Sequence, residues 1–197
     1  MFDLQNDCEL LPLSAGTTFA DFNCGDNDLN EFFNIDAIKY QEQMLGSTYF
    51  FRHKSTGKIV CAFTLSPDSM NTTNLPGSRR KKVKENIPRE KPLRSFPSYL
   101  IGRLGVDIAF SGLGAGSQLL TFIKLYCFDN YRYNCRFLLV DAYNNPSVLN
   151  FYLKNEFLTV FSTEEQEREY KKLRPEDILR TRYMYYDMMN WKIKMSS

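Results

Sequence analysis

The sequence has one histidine, His53, among its 197 residues, and that scarcity excludes much chemistry at once. Ser-His-Asp triads, two-histidine metal sites and a histidine general base within the core all become poor expectations. His53 stands just before the turn-like Ser55-Thr56-Gly57 stretch, where a solvent-facing ring is the simpler reading. The five cysteines, Cys8, Cys24, Cys61, Cys127 and Cys135, include no Cys-x-x-Cys pair. Neither a disulfide framework nor a zinc knuckle is therefore expected, and the thiols should be reduced. No apolar run approaches the roughly 18 residues of a membrane span. The opening Met1-Phe2-Asp3-Leu4-Gln5-Asn6-Asp7 has neither a basic n-region nor an apolar h-region, so a cytoplasmic protein is expected. No internal repeat or low-complexity tract is visible.

With 43% hydrophobic residues, 16 Phe and 12 Tyr, the chain is too apolar to be disordered, and its length suits a single globular domain over residues 1–197. The net charge of +2 is unevenly distributed. Arg79, Arg80, Lys81, Lys82, Lys84, Arg89, Lys91 and Arg94 face only Glu85 and Glu90 between residues 77 and 94. A basic insertion at about residues 76–97 on a mildly acidic body reads as a local electrostatic footprint.

Periodicity predicts a first strand over 8–13 and a helix opening at Asp28 with an approximate stripe of Leu29, Phe32, Phe33, Ile35, Asp36, Ala37, Ile38 and Met44. Asp28 and Glu31 stand at capping-box spacing. The β-branched and aromatic runs 48–52 and 59–65 flank a turn and predict a hairpin. Residues 66–97 hold five prolines with the basic run and read as a long insertion without a continuous element. A strand over 98–108 then enters a glycine-rich turn and a helix over 117–131. A continuous apolar strand over 136–141 follows, and Asn145-Pro146 opens a helix carrying Val148, Leu149, Tyr152 and Leu153. Thr163 and Gln166 open a short charged helix, and a strand over 183–189 closes the chain.

The turn Ser111-Gly112-Leu113-Gly114-Ala115-Gly116-Ser117 carries the chemistry. Closely spaced glycines let backbone amides converge without a Cβ in the way, and the following helix adds unpaired N–H groups and its positive end. Such a turn suits a pyrophosphate. A P-loop needs Gly-Lys-Ser/Thr at its end, and Gly116-Ser117-Gln118 lacks the lysine. A Rossmann fingerprint would follow the first strand of the domain, whereas this turn lies past residue 100. Coenzyme A is the ligand left best supported.

Residues Leu100-Ile101-Gly102-Arg103-Leu104-Gly105-Val106-Asp107, with Ser111, Leu113, Gly114, Ala115 and Gly116, resemble motif A of the GNAT acyltransferase superfamily, Arg/Gln-x-x-Gly-x-Gly/Ala after a strand ending in Val-Asp. Asp141-Ala142-Tyr143-Asn144-Asn145 through Phe151-Tyr152-Leu153-Lys154-Asn155-Glu156-Phe157 resembles motif B. The start Phe22-Asn23-Cys24-Gly25 through Leu29, Phe32 and Phe33 is similar to that of the toxin–antitoxin acetyltransferases. Two departures stand out: Ser111 replaces the usual Arg/Gln, and Glu156 replaces the Gly before the motif B Phe.

The resemblance implies an α/β fold of mixed α+β type, the GNAT acyl-CoA N-acyltransferase fold, with a mostly antiparallel sheet of six to seven strands flanked by helices. It implies acetyl-CoA as cofactor. Leu104, Gly105 and Val106 would bind the pantetheine arm, with the Val106 N–H polarising the thioester carbonyl. Ser111, Gly112, Leu113, Gly114, Ala115, Gly116 and Ser117 would hold the pyrophosphate, Asn144 and Tyr152 would also line the cofactor site, and Tyr152 would protonate the leaving thiolate. No metal is implied. Asp107, Asp141 and Glu156 are the carboxylates near enough in sequence to be weighed as a general base, and none is singled out. The acceptor implied is a primary amine such as that of an aminoacyl-tRNA, with the eight basic residues of the insertion as phosphate contacts. A protein or small-molecule amine, or a non-catalytic coenzyme-binding module, are the alternatives. An antitoxin partner and a homodimer are open possibilities, and no membrane partner is expected.

Overall fold

In the computed structural model, which describes residues 2–73, 75–85, 87, 94–129 and 135–195, the two runs flanking residues 54–58 pair as an antiparallel hairpin. β2 (Ser47–His53) lies on β3 (Ile59–Asn71) with Tyr49 opposite Phe63, Phe50 opposite Ala62 and Phe51 opposite Cys61. β1 (Cys8–Pro12) pairs with the outer side of β2. The remaining strands are β4 (Ser95–Val106), β5 (Phe137–Tyr143), β6 (Leu158–Thr159) and β7 (Thr181–Asp187). The sheet order is β1-β2-β3-β4-β5-β7-β6. β4 and β5 run parallel, and the other recorded pairs are antiparallel. This is the seven-strand, mostly antiparallel, helix-flanked sheet that the resemblance implied.

The chain forms two compact units, one of Met1–Pro67 with Ile101–Tyr126, the other of Asp68–Leu100 with Cys127–Ser197. In the first, alternation along the hairpin sends Phe50 and Ala62 to one face and Tyr49, Phe51 and Phe63 to the other. Leu13, Phe19, Phe22, Phe32, Phe33 and Ala37 cover the former. Phe122 and Tyr126 of α5 (Ala115–Asp129) cover the latter, the Phe51 and Phe122 rings meeting edge to face at 4.9 Å. A short helix not expected from the sequence, α1 (Leu4–Asp7), is capped by Asp3 and buries Leu4.

The single helix expected from Asp28 is corrected in two respects. Asp26 is the cap, its carboxylate accepting from the Leu29 N–H at 3.0 Å, so α2 (Asn27–Glu31) begins earlier. A π-helical turn (Phe32–Asp36) then separates it from α3 (Ala37–Glu42), with the Ala37 N–H bonding five residues back to the Phe32 carbonyl. The wider turn lets the adjacent Phe32 and Phe33 both be buried, which an α-helical spacing would set about 100° apart.

In the second unit the proline-rich stretch is more ordered than composition suggested. β3 continues through Pro67 to Asn71, α4 (Gly77–Val83) follows Pro76, and β4 starts at Ser95. Leu75 and Val83 anchor this excursion in a core with Met70, Phe96, Phe137, Leu139, Val160, Phe161 and Tyr185. Arg89 and Lys91 lie outside the described residues. The expected helix starts hold. Asn145 Oδ1 accepts from the Val148 N–H at 2.9 Å to open α6 (Pro146–Lys154), and Thr163 Oγ1 accepts from Gln166 to open α7 (Glu164–Tyr170). Glu167, fully buried, accepts from Arg182 Nε at 2.7 Å and the Tyr183 N–H at 2.6 Å, and forms an ion pair with Lys171 Nζ at 3.0 Å. The closing strand ends at Asp187, and α8 (Met188–Met195) takes over the residues the sequence assigned to its end.

Glu156 ends α6 with φ +68°, its N–H bonded to the Leu153 carbonyl and the Phe157 N–H to that of Tyr152. That left-handed position favours glycine, which explains why a Gly is usual there. Glu156→Gly is expected to raise stability by about 0.5–1 kcal/mol, read as a higher midpoint in urea. Lys194→Ala serves as the control for the Glu156–Lys194 ion pair, which is exposed and contributes little.

Burial raises the phenol pKa values of Tyr152, Tyr183 and Tyr185, and pushes Tyr186 up to about 12. Above pH ~10 the unfolded chain releases these protons while the folded chain keeps them, so stability falls as pH rises, by about 1.4 kcal/mol per pH unit per phenol. Urea midpoints between pH 9.5 and 11 should drop, and Tyr152→Phe should make the drop shallower by one phenol's worth.

Candidate functional site

β4 delivers its end, Val106, to a tightly fixed corner. The Asp107 N–H donates to the Val60 carbonyl at 2.8 Å. The buried Asp107 carboxylate accepts from the Asn23 N–H through Oδ2 and the Ala109 N–H through Oδ1, both at 2.9 Å. It thereby caps the 3-10 turn Ile108–Phe110 and ties it to the chain before α2. Both oxygens hold backbone, which suits a structural clamp and not a general base.

Directly after that turn, Ser111, Gly112, Leu113 and Gly114 are exposed, with φ of +77° at Gly112 and +80° at Gly114. α5 begins at Ala115, two residues earlier than the sequence suggested, so Gly116 and Ser117 lie in its first turn. An α-helix's first four N–H groups have no intrahelical partner, and here they follow a solvent-open turn that only glycine adopts without strain. The combination provides converging donors and a positive dipole end for an anion.

Gly105 has a second reason to be glycine. A Cβ there would stand 3.1 Å from Cys24 Cβ, 3.3 Å from Cys24 Sγ and 3.3 Å from Phe22. The approaching segment is braced by side-chain amides. Asn30 Oδ1 accepts from the Cys24 N–H at 2.9 Å, and Asn23 Oδ1 accepts from both the Gly25 N–H and Asn30 Nδ2 at 2.9 Å. The stretches 22–33 and 100–107, read as separate motifs, therefore pack on one another. Leu104 and Val106 are half-buried on either side of Gly105. The sequence reading passed over Arg103, an exposed residue whose guanidinium lies 4.8 Å from the Phe32 ring centroid; its cation beside an aromatic could have signalled it.

In the second unit, Tyr152 is 6% exposed, its ring edge-on to Phe151 at 5.1 Å and Phe157 at 5.4 Å. Burial alone raises its pKa, so it carries its proton throughout the neutral range. Asn144 Nδ2 donates to Glu164 Oε1 and to the Leu179 carbonyl, each at 3.1 Å, which ties the end of β5 to the start of α7. Asp141, raised by burial and partly offset by Lys171, stands 3.6 Å from that ammonium, while Glu156 pairs with Lys194. Each carboxylate weighed as a base thus has a partner.

The basic residues divide by role. Arg79 donates to the Val160 carbonyl at 2.6 Å and to that of Thr159, and Arg80 donates to the carbonyls of Thr73 at 2.7 Å and Leu75 at 3.1 Å. Lys84 Nζ lies 5.8 Å from the Phe96 ring centroid. Lys81, Lys82 and Arg94 are exposed. His53, expected to face solvent, is half-buried with its ring 5.9 Å from Phe110. The five cysteines are free thiols, as expected, and no described group of three His, Cys, Asp or Glu could hold a metal. No described helix is long and apolar enough to cross a membrane.

No protein-family model matches the sequence. Solved structures do match the fold. A Tyr-to-Phe mutant of KacT is 18% identical with a TM-score of 0.73, covering 96% of this chain and 99% of that one. AtaT complexed with acetyl-methionyl-tRNAfMet is 18% identical with a TM-score of 0.72 over the same shares. AtaTR bound with AcCoA is 18% identical with a TM-score of 0.71, again over 96% and 99%. With a glycine turn between a strand and a long helix, and a seven-strand sheet that aligns nearly end to end with these proteins, the chain shares the GNAT fold with KacT and AtaT.

Proposed function

We propose that this chain is an acetyl-CoA-dependent N-acetyltransferase whose acceptor is the amino group of an aminoacyl-tRNA. The observation that carries the reading is the exposed turn with left-handed Gly112 and Gly114 opening the 15-residue helix α5, a donor array suited to the pyrophosphate of coenzyme A. AtaT, similar in fold, has been solved with acetyl-CoA and with an acetylated methionyl-tRNA.

Bound acetyl-CoA supplies the activated acyl group. Amides of Gly112 to Ser117 would hold its pyrophosphate, with Ser111 offering a hydroxyl where an arginine or glutamine is usual, and Leu104 to Val106 would align the pantetheine arm. As a neutral amine adds to the thioester carbonyl, the Val106 N–H would stabilise the developing oxyanion; the C–S bond would then break, and the surplus proton on nitrogen would leave to water, which restores the proton that Tyr152 gives up. Tyr152 gives its proton to the departing sulfur. Burial keeps Tyr152 protonated throughout the neutral range. An α-amine with a pKa of roughly 7.7–8.0 is substantially deprotonated near neutral pH, so an aminoacyl acceptor needs no dedicated base. Lys81, Lys82 and Arg94 are the exposed phosphate contacts in this reading, while Arg79 and Arg80 hold α4 in place through carbonyls.

Incubation with labelled acetyl-CoA and charged tRNA, beside deacylated tRNA and free amino acids, should place label only in the aminoacyl fraction. Tyr152→Phe should slow the transfer about 100-fold or more. Label absent from that fraction, with coenzyme A still bound, would reject the acceptor. Lys81→Ala with Lys82→Ala should lower the salt slope of tRNA binding by about two, one per lysine.

A further inference from the structure

We propose that Gln118 and Phe2 form a bracket that positions the anion-binding turn, making residues 2–4 part of the coenzyme site although they need not touch the coenzyme. This rests on the coenzyme reading above. Gln118 lies one turn into α5, and both ends of its amide hold the same distant segment. Oε1 accepts from the Leu4 N–H at 2.7 Å, and Nε2 donates to the Phe2 carbonyl at 3.1 Å. Leu4 is fully buried, so the segment is anchored by apolar burial as well.

The bracket closes on the far side of the turn. The Phe2 ring meets Phe110 at 5.7 Å, and Phe110 meets His53 at 5.9 Å on its other contact. Phe110 is the last residue of the 3-10 turn and immediately precedes Ser111. Residues 111–117 are therefore fixed at both ends by one segment, through Phe110 before the glycines and Gln118 after them. The glycines between have no side chains to hold them: a Cβ at Gly112 would meet open space and one at Gly114 only Gln118 Nε2 at 3.8 Å. Ala115 is buried in the first turn of α5, and the exposed residues 111–114 before it take their geometry from their ends. Converging amides bind an anion well only when preorganised, so the bracket sets the affinity for the phosphate end of the ligand.

Calorimetric titration of Gln118→Met, Phe2→Ala and the double variant with coenzyme A, and NMR titration with pantetheine, which lacks the pyrophosphate, tests this. Gln118→Met, which loses two hydrogen bonds, and Phe2→Ala, which keeps the Phe2 carbonyl and loses the ring contact with Phe110, should each weaken coenzyme A binding about tenfold and leave pantetheine binding within twofold. The double variant should be no weaker than the singles, because one bracket is broken either way. A loss in Gln118→Met with none in Phe2→Ala would mean direct contact by Gln118 and would overturn the bracket. So would equal losses for coenzyme A and pantetheine, the mark of general destabilisation. Wild-type protein that binds no coenzyme A would instead remove the coenzyme reading itself.

Discussion

The buried carboxylate of Asp107 is the contact on which the rest of the first unit depends. It accepts one amide from the chain ahead of α2 and one from the 3-10 turn that follows it, so one side chain fixes where β4 stops and where the glycine turn begins. A buried carboxylate is tolerated only when its oxygens are satisfied, and satisfying them brings residues 22–25 against Gly105. The absence of a side chain at Gly105 is then a packing requirement as much as room for a ligand.

Much of this was legible in the sequence because it is written in local chemistry. Asn145-Pro146 and Thr163 marked helix starts that the structure keeps, and two apolar runs around a turn sufficed for the hairpin. The strand, glycine turn and helix of the candidate site were readable for the same reason, since their order and their glycines lie within twenty consecutive residues. What local patterns did not carry was decided at a distance. The π-helical turn opens with two neighbouring phenylalanines, both buried in the first unit's core, and no spacing rule separates that from a plain α-helix. Capping-box spacing pointed to Asp28, whereas the structure caps the helix with Asp26, two residues earlier, through the Leu29 N–H. The role of Phe2, more than a hundred residues from Gln118, has no local signature at all.

The basic segment shows the same limit from the side of charge. As a run of like charges it reads as one footprint, yet its members are spent differently: Arg79 and Arg80 complete the backbone hydrogen bonding of their surroundings, while Lys81 and Lys82 face water. Arginine suits the first task because its planar fork reaches two carbonyls at once, and lysine suits the second because its charge is compact and strongly hydrated. Of the prolines that argued against an element, Pro67 and Pro97 lie within β3 and β4, and Pro76 precedes a helix held by Leu75 and Val83. Composition saw the breaks and could not see the anchors.

Arg79 also bears on how the sheet ends. β6, the last strand in the order, has only two residues, and the guanidinium occupies the carbonyls of Thr159 and Val160. Another chain extending the sheet at this edge would need a longer row of open backbone groups. A residue that reads from the sequence as a phosphate contact is thus occupied with the backbone of a short terminal strand.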